Sequence, residues 1–182
     1  MCRVVIRCLV EYLDIKKAGN PNAYNREPFS KTEVAKLWDV KDSNIYYTVI
    51  LMLIYTGCRI GELLDLKKEN VNLEDRYFKI IASKTAAGIR TAPIAEKVYP
   101  LFEYWYNLND CEYLLSTPGG EHFKYRNYYD SYWMPLIDTL GMKHRPHDTR
   151  HTCISMLTVA GVSDKVIKKI VGHKGQGVTE VV

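Results

Sequence analysis

Apolar residues recur at helical spacing over most of this chain. Residues 46–55 are apolar almost without interruption, and this pattern predicts a helix that is buried on every side. Amphipathic spacing over residues 98–108 and 125–140 predicts two more helices. The second should be kinked near Pro135, which cannot donate a helical hydrogen bond. The chain is therefore predicted to be mainly helical.

Local capping signals predict where several of these helices begin and end. Ser30 and Glu33 have the spacing of a capping box, which opens a helix that runs to about Val40. Gly57 is placed to end the buried helix in a left-handed conformation, and the last helix is predicted to stop at Gly172.

Two short runs have the composition of β-strands. They are residues 77–81 and 90–94, and residues 83–88 between them are typical of a hairpin connection. We therefore predict an α+β fold, a mainly helical domain with a small antiparallel β-sheet around residues 69–94.

Length and composition favour one domain with an attached fragment. The chain has 182 residues, of which 47% are hydrophobic, and this is enough for one core. The first residues predict a short helix and a linker rich in Gly, Pro and Asn, and a single helix cannot build a core. We assign residues 1–25 to the tail of a missing upstream domain and its linker, and residues 26–182 to the domain itself.

The five cysteines are scattered and include no C-x-x-C pair. This arrangement indicates a reducing compartment and argues against a disulfide framework or a cysteine zinc site. No apolar run approaches the length of a membrane span, so we expect no membrane partner and a cytoplasmic location.

The net charge of +4 is unevenly distributed along the chain. Residues 1–139 carry 18 basic and 18 acidic side chains, whereas residues 140–182 carry seven basic and three acidic ones. Local positive charge suggests an anionic partner such as nucleic acid. A solvated helix face formed by Lys165, Lys168 and Lys169 is the alternative.

The segment Pro146-His-Asp-Thr-Arg-His151 is the most informative polar stretch of the sequence. Pro146 suits the first turn of a helix, where its missing N–H costs nothing. His147 and Arg150 are three positions apart and would project from one face of that turn toward a site. A solvated helix start would show the same pattern, so the rest of the chain has to decide between the two.

Five polar residues stand at the ends or turns of predicted elements, namely Arg59, Lys84, His147, Arg150 and His173. Glu62 follows Arg59 by three positions and can pair with it. Lys84 could instead protect an exposed sheet edge. The helix over residues 125–140 carries four tyrosines, whose helical spacing suits core packing better than a stacking platform.

The sequence around these residues resembles that of the tyrosine recombinase (phage integrase) family. The matching boxes, in the family's order, are T-G-C-R-I-G-E-L, S-K-T-x(4)-R-T-x-P-I, H-D-T-R-H-T and I-V-G-H-K. They cover residues 26–182, and they are most similar to the boxes of integrases from conjugative transposons and temperate phages. The resemblance implies a metal-free and cofactor-free site-specific DNA recombination or integration reaction, through a 3′-phosphotyrosyl intermediate.

By this resemblance the five polar residues are the catalytic set, and Glu62 supports them. Lys143, Arg145 and Lys174 are expected to bind DNA. Guanidinium groups suit the charge that develops on phosphate oxygens, and imidazoles can donate hydrogen bonds to the phosphate near neutral pH. Lys84 can protonate the departing 5′-oxygen.

The family's nucleophilic tyrosine stands nine or ten residues after the histidine of the G-H box. Nine positions after His173 is Val182, the last residue given. We expect that the catalytic domain is truncated just before the tyrosine and is inactive as written; a valine in place of the tyrosine is the alternative. The resemblance implies double-stranded DNA and other protomers of a synaptic tetramer as partners, a monomeric isolated domain, and a nucleoid-associated location in bacterial cytoplasm.

Two other classes of protein fit part of the sequence. His147 and His151 have the spacing of a zinc-binding H-x-x-x-H pair, but Arg150 would place a permanent cation beside the metal. A DNA-binding integrase relic without chemistry is the other class. Such a relic has no physical need for two arginines and a lysine near one phosphate.

Overall fold

The computed structural model describes residues 27–82 and 88–173. Its helical elements are α1 (Lys31–Val40), α2 (Tyr46–Thr56), α3 (Ile60–Leu64), α4 (Tyr99–Asn107), α5 (Tyr125–Tyr128), a π-helix (Tyr129–Trp133), α6 (Met134–Thr139), α7 (Pro146–Val159) and α8 (Asp164–Val171), with two short 3₁₀ helices at Lys68–Asn70 and Glu96–Val98. Its strands are β1 (Val71–Asn72), β2 (Tyr77–Ile80) and β3 (Arg90–Pro93). Our assignment of residues 1–25 lies outside the described residues.

Helix α2 forms the centre of the core. All of its residues are buried, as predicted, because a helix without a polar face has to be enclosed by other elements. It packs most extensively on α7 and also contacts α1 and α4. Within the described parts of the chain, none of the helices has the length and apolar character needed to cross a membrane.

The strands form an antiparallel sheet in the order β1–β2–β3. In its register Phe78 lies opposite Ala92, and Ile80 lies opposite Arg90. Phe78 and Ala92 are buried, and the Phe78 ring stacks on Phe102 of α4 with ring centroids 5.5 Å apart. One face of the sheet therefore packs on the helical core, and the predicted α+β class is confirmed.

The predicted helix ends are found at the predicted residues. The Ser30 hydroxyl accepts a hydrogen bond from the Glu33 N–H at 3.2 Å, and the Glu33 carboxylate accepts one from the Ser30 N–H at 2.8 Å. Gly57 follows α2 with a φ of 64°, and Gly172 follows α8 with a φ of 69°. Both glycines are therefore left-handed caps.

The irregularity predicted near Pro135 is a π-helix slightly earlier in the chain. The π-helix Tyr129–Trp133 joins α5 to α6. Pro135 has no N–H to donate, and its ring would clash with the carbonyl of Ser131, four positions before it. The wider π turn accommodates the proline, so the helical path continues through it.

Candidate active site

Among the predicted site residues that the structure describes, Arg150 is the most deeply buried cation, with 1% of its surface exposed. Helix α7 carries it and begins at Pro146, where the Asp148 carboxylate accepts a 2.8 Å hydrogen bond from the Arg145 N–H and fixes the first turn. Arg150 Nη1 donates to the carbonyl of Gly57 at 2.9 Å. Its Nε and Nη2 have no hydrogen-bond partner among the described residues. Buried charged donors without an acceptor are unfavourable, so an anionic ligand that reached these two donors would be bound.

The carbonyl that holds Arg150 belongs to a position that only glycine can occupy. Gly57 has a φ of 64°, which side chains disfavour. A Cβ atom at this position would lie 2.9 Å from Val171 Cγ1 and 3.0 Å from Cys153 Sγ. Backbone conformation and packing therefore both require glycine here, and together they fix the position of its carbonyl.

Arg59 lies just before α3 and is held by Glu62. Arg59 Nη1 donates to Glu62 Oε1 at 2.6 Å, and the Arg59 backbone N–H donates to Oε2 at 3.0 Å. Burial alone would raise the pKa of Glu62, but hydrogen bonds from Arg90 and Arg59 lower it below its usual value. Glu62 is therefore a carboxylate at neutral pH, and its contact with Arg59 is the one expected from their spacing.

Arg90, at the start of β3, was not among the predicted site residues. Its Nη2 donates to Glu62 Oε2 at 3.0 Å, its Nε donates to the Ile170 carbonyl at 2.7 Å, and its Nη1 donates to the Gly88 carbonyl at 2.7 Å. Its side chain is 5% exposed. The sequence did contain one signal that could have identified Arg90. It is the first residue of the motif R-T-x-P-I, where a predicted strand begins with a permanently charged side chain.

The three guanidinium groups lie close enough to affect one another. Burial, together with the positive charges of Arg59 and Arg90, lowers the pKa of Arg150 to about 10. Arg150 nevertheless stays protonated at neutral pH, since its pKa is well above 7. Glu62 is the carboxylate that acts on this group, so the cluster of three cations keeps an excess of positive charge. Such a cluster favours the binding of an anion.

His147 lies at the solvent-exposed start of α7. Its ring meets the ring of His151 edge to face, with centroids 5.0 Å apart. It opens onto a cleft of about 370 Å³, here called the tyrosine cleft. The residues that line this cleft are Cys58, Arg59, Ile60, Tyr125, Tyr129, Arg145, Pro146 and His147.

His173 follows the left-handed cap of α8 and is exposed. It lines a second cleft of about 530 Å³, together with Arg90 and three lysines of α8, Lys165, Lys168 and Lys169. Partial desolvation of the imidazole by the surrounding protein, together with the charges of Arg150 and Arg59, lowers the pKa of His173. A neutral imidazole is thus favoured there at pH 7, and it can donate one hydrogen bond and accept another.

The structure therefore brings four of the five predicted catalytic residues together. They are Arg59, His147, Arg150 and His173. Lys84 and Lys174 lie outside the described residues. Lys143 and Arg145 are exposed on the segment that leads into α7, and Arg145 lines the tyrosine cleft. The chemical roles assigned to these side chains stay predictions.

A zinc site built on His147 and His151 would need a third protein ligand, and the described parts of the chain place none beside them. No group of three His, Cys, Asp or Glu side chains is placed there to hold a metal ion. His147 and His151 instead contact each other through their rings.

Comparison with known proteins gives a family match over most of the chain. Residues 29–181 match the model of the phage integrase family. The chain is 27% identical over 192 aligned residues to tyrosine recombinase XerA of Pyrococcus horikoshii, a match that covers 98% of this chain and 67% of that protein.

Solved structures show the same fold. The Tn1549 transposon integrase in complex with circular intermediate DNA matches with a TM-score of 0.73 and 20% identity, over 85% of this chain and 61% of that one. A lambda integrase dimer bound to a COC′ core site matches with a TM-score of 0.68 and 17% identity, over 82% of this chain and 45% of that one. The chain thus spans about half to two thirds of the length of the proteins that it resembles.

Proposed function

Because this chain belongs to the phage integrase family, the tyrosine recombinases, we propose that residues 27–173 hold the phosphate-activating part of a site-specific DNA recombinase. The observation that supports this most strongly is the state of Arg150. Its guanidinium is buried, is surrounded by other cations, and has two donors without a protein acceptor among the described residues. A phosphodiester supplies two anionic oxygens, which fit two such donors.

The proposed reaction is a transesterification at one DNA phosphate. A tyrosine hydroxyl attacks the phosphorus in line and passes its proton to a neutral imidazole of the site, His147 or His173. A bond forms between phosphorus and the tyrosine oxygen, and the bond to the 5′-oxygen breaks. Negative charge develops on the non-bridging oxygens, and Arg59 and Arg150 stabilise it. His147 and His173 donate hydrogen bonds to the phosphate, and Lys84 gives a proton to the departing 5′-oxygen.

This mechanism needs neither a metal ion nor an organic cofactor, because the two guanidiniums supply the positive charge. Glu62 keeps Arg59 in place through the contact of 2.6 Å. Removing one preorganised donor of this type costs a hundredfold to a thousandfold in rate, roughly 3 to 4 kcal/mol in the transition state.

We further propose double-stranded DNA and other recombinase protomers as the partners. The similar Tn1549 integrase is described with circular intermediate DNA, and the similar lambda integrase is described as a dimer on DNA. Assembly into a tetramer is part of this proposal. Exposed Lys143 and Arg145 are the proposed backbone contacts beside the active site, since cations position DNA through its phosphates.

The proposal is tested by trapping the covalent intermediate on a nicked suicide substrate. The 182-residue chain has a valine at position 182, nine after His173, so it is expected to form no adduct. A version extended beyond Val182 by a segment that begins with a tyrosine, ten positions after His173 and so at the family's spacing, is expected to form a 3′-phosphotyrosyl adduct. Denaturing electrophoresis of labelled DNA measures it.

Two variants of the extended chain sharpen this test. R150K is expected to lower the rate of adduct formation about a hundredfold, because lysine lacks the planar fork that binds two oxygens. R126K is the matched control, since Arg126 has a 90% exposed side chain paired with Asp130. Normal DNA binding without any adduct in the extended chain would favour the second candidate, a DNA-binding relic. An adduct in the unextended chain would mean that another tyrosine is the nucleophile.

A further inference from the structure

The helical segment after residue 124 carries two separate pairs of stacked tyrosines. Tyr128 and Tyr132 stack with ring centroids 6.0 Å apart, and Tyr128 is fully buried in the core. Tyr125 and Tyr129 stack with centroids 6.1 Å apart and an interplanar angle of 22°, and Tyr125 is 51% exposed. Core packing therefore accounts for the first pair, whereas in the second pair only Tyr129 packs against the core and Tyr125 lies exposed beside it.

This second pair, Tyr125 and Tyr129, lies on the wall of the tyrosine cleft. The same cleft is lined by Arg59, Arg145 and His147, so an aromatic wall and a set of cationic or hydrogen-bonding groups share one space. None of the residues that line it is a carboxylate. Tyr129 is also the first residue of the π-helix, an element that is found frequently at functional sites.

This combination has a specific chemical complement. A nucleotide joins an anionic phosphate to a sugar and a base, and a base that has left the duplex stack has flat faces that stack on aromatic rings without regard to sequence. An isolated phosphate would use the guanidiniums but would leave the tyrosine pair without a function.

We propose that Tyr125 and Tyr129 form a nucleoside-binding wall, which holds the sugar and base next to the phosphate bound by Arg59 and Arg150. This inference rests on the proposed function, because it assumes a phosphodiester at the arginines. The wall orients the nucleotide next to the reacting phosphate and takes no part in proton transfer, so both tyrosines are positioning residues.

The test compares two small probes that bind without a DNA target sequence. Dimethyl phosphate presents the phosphodiester alone, and thymidine 3′-methylphosphate adds one nucleoside. Both are titrated into the 15N-labelled 182-residue chain, and dissociation constants are obtained from amide chemical shifts. The chain is expected to bind the thymidine probe about tenfold more tightly, a preference within the range that stacking on one aromatic ring provides.

Three single substitutions identify the origin of this preference. Y125A is expected to abolish it, and Y125F is expected to keep it because the ring remains. Y104A is the control, since Tyr104 is 53% exposed and belongs to a different cleft, beside Lys41 and Asp42. It should leave both affinities unchanged.

The possible failures are distinguishable. Equal affinities for the two probes, or a Y125A variant that keeps the preference, would overturn the nucleoside wall and leave the phosphate site standing. A Y125F variant that loses the preference would show that the hydroxyl group, and not stacking, is responsible, which also overturns it. If neither probe binds, the phosphate site and the wall both fail.

Discussion

A single arginine can organise an active site when its donors are divided among several segments. Arg90 donates to the Glu62 carboxylate in α3, to the Ile170 carbonyl in α8 and to the Gly88 carbonyl before β3. Because Glu62 also holds Arg59, a shift of the Arg90 side chain would be transmitted to that guanidinium. Arg90 is therefore a positioning residue for the proposed reaction.

Replacing Arg90 with methionine is expected to lower the free energy of unfolding by about 3 kcal/mol, because a buried carboxylate loses a partner and two carbonyls lose their donor. Urea unfolding of the 182-residue chain measures this. R76M is the control, since exposed Arg76 contacts the Tyr99 ring with a separation of 4.8 Å. That contact contributes about 0.5–1 kcal/mol at an exposed position. Equal losses in the two variants would contradict the argument.

Sequence patterns could select Arg59 and Arg150 as candidate site residues, but they did not select Arg90. Arg59 and Arg150 lie in short sequence motifs, and the neighbouring residues of each motif are themselves informative. The main contacts of Arg90 are to residues that are distant in the chain, 28 positions away at Glu62 and 80 positions away at Ile170. No local periodicity reports such a pairing, so the three-dimensional arrangement was needed.

At the level of elements, a buried histidine joins α1 to the start of α7. His144 stacks on Phe29 with ring centroids 3.8 Å apart. Its Nε2 lies 3.2 Å from Glu33 Oε1, and its Nδ1 lies 3.6 Å from Asp148 Oδ2. Asp148 also caps the helix that carries Arg150, so this contact supports the geometry of the active site.

The pH dependence of stability should reveal this connection. Burial alone would lower the pKa of His144, but Asp148 and Glu33 raise it, so the stabilisation from its charge is lost as pH rises through the raised pKa. Burial alone would raise the pKa of both carboxyl groups, but their hydrogen bonds lower it. Their contribution is therefore lost as pH falls through the lowered values. Stability is expected to be highest between these two limits.

Thermal unfolding of the H144Q variant checks this expectation. The variant should have a flatter alkaline side in its plot of unfolding free energy against pH, since glutamine does not titrate. H122Q is the control, because His122 contacts Asp65 at 3.0 Å with both side chains more exposed. An unchanged alkaline slope in H144Q would show that His144 is not the titrating group.

Element boundaries could be predicted where one local interaction decides them. The Ser30 capping box and the Gly57 cap are such cases, because each depends on a few adjacent residues. The helix over residues 125–140 is different, since both of its tyrosine pairs are four positions apart. Spacing alone could not tell which pair faces the core, and the π-helix, a response to Pro135, was not predicted.

At the scale of the whole molecule, the excess of basic residues after position 139 suggests a binding energy dominated by phosphate contacts. DNA affinity is therefore expected to be weak, largely independent of sequence, and to fall steeply between roughly 50 and 200 mM salt. Fluorescence anisotropy with a labelled duplex measures it. R145A should reduce the steepness of the plot of log binding constant against log salt concentration, here called the salt slope, by about one.

The matched control for the salt experiment is K41A, which removes the same charge. Lys41 pairs with Asp42 and lines a cleft that contains none of the predicted site residues. It should leave the salt slope unchanged. An affinity that is constant across this salt range would contradict a phosphate-dominated interface.

Gly57, whose carbonyl accepts from Arg150, directly follows the C-terminal end of the buried helix α2, and this has an electrostatic consequence. Peptide dipoles add along a helix and leave about half a negative charge at its C-terminal end. Helix α2 thus presents a fixed partial charge to the Arg150 guanidinium. A carboxylate at this place would form an ion pair and cancel the cation, whereas the dipole holds it with much of its charge uncompensated. The core helix therefore anchors Arg150 and leaves its positive charge for the phosphate.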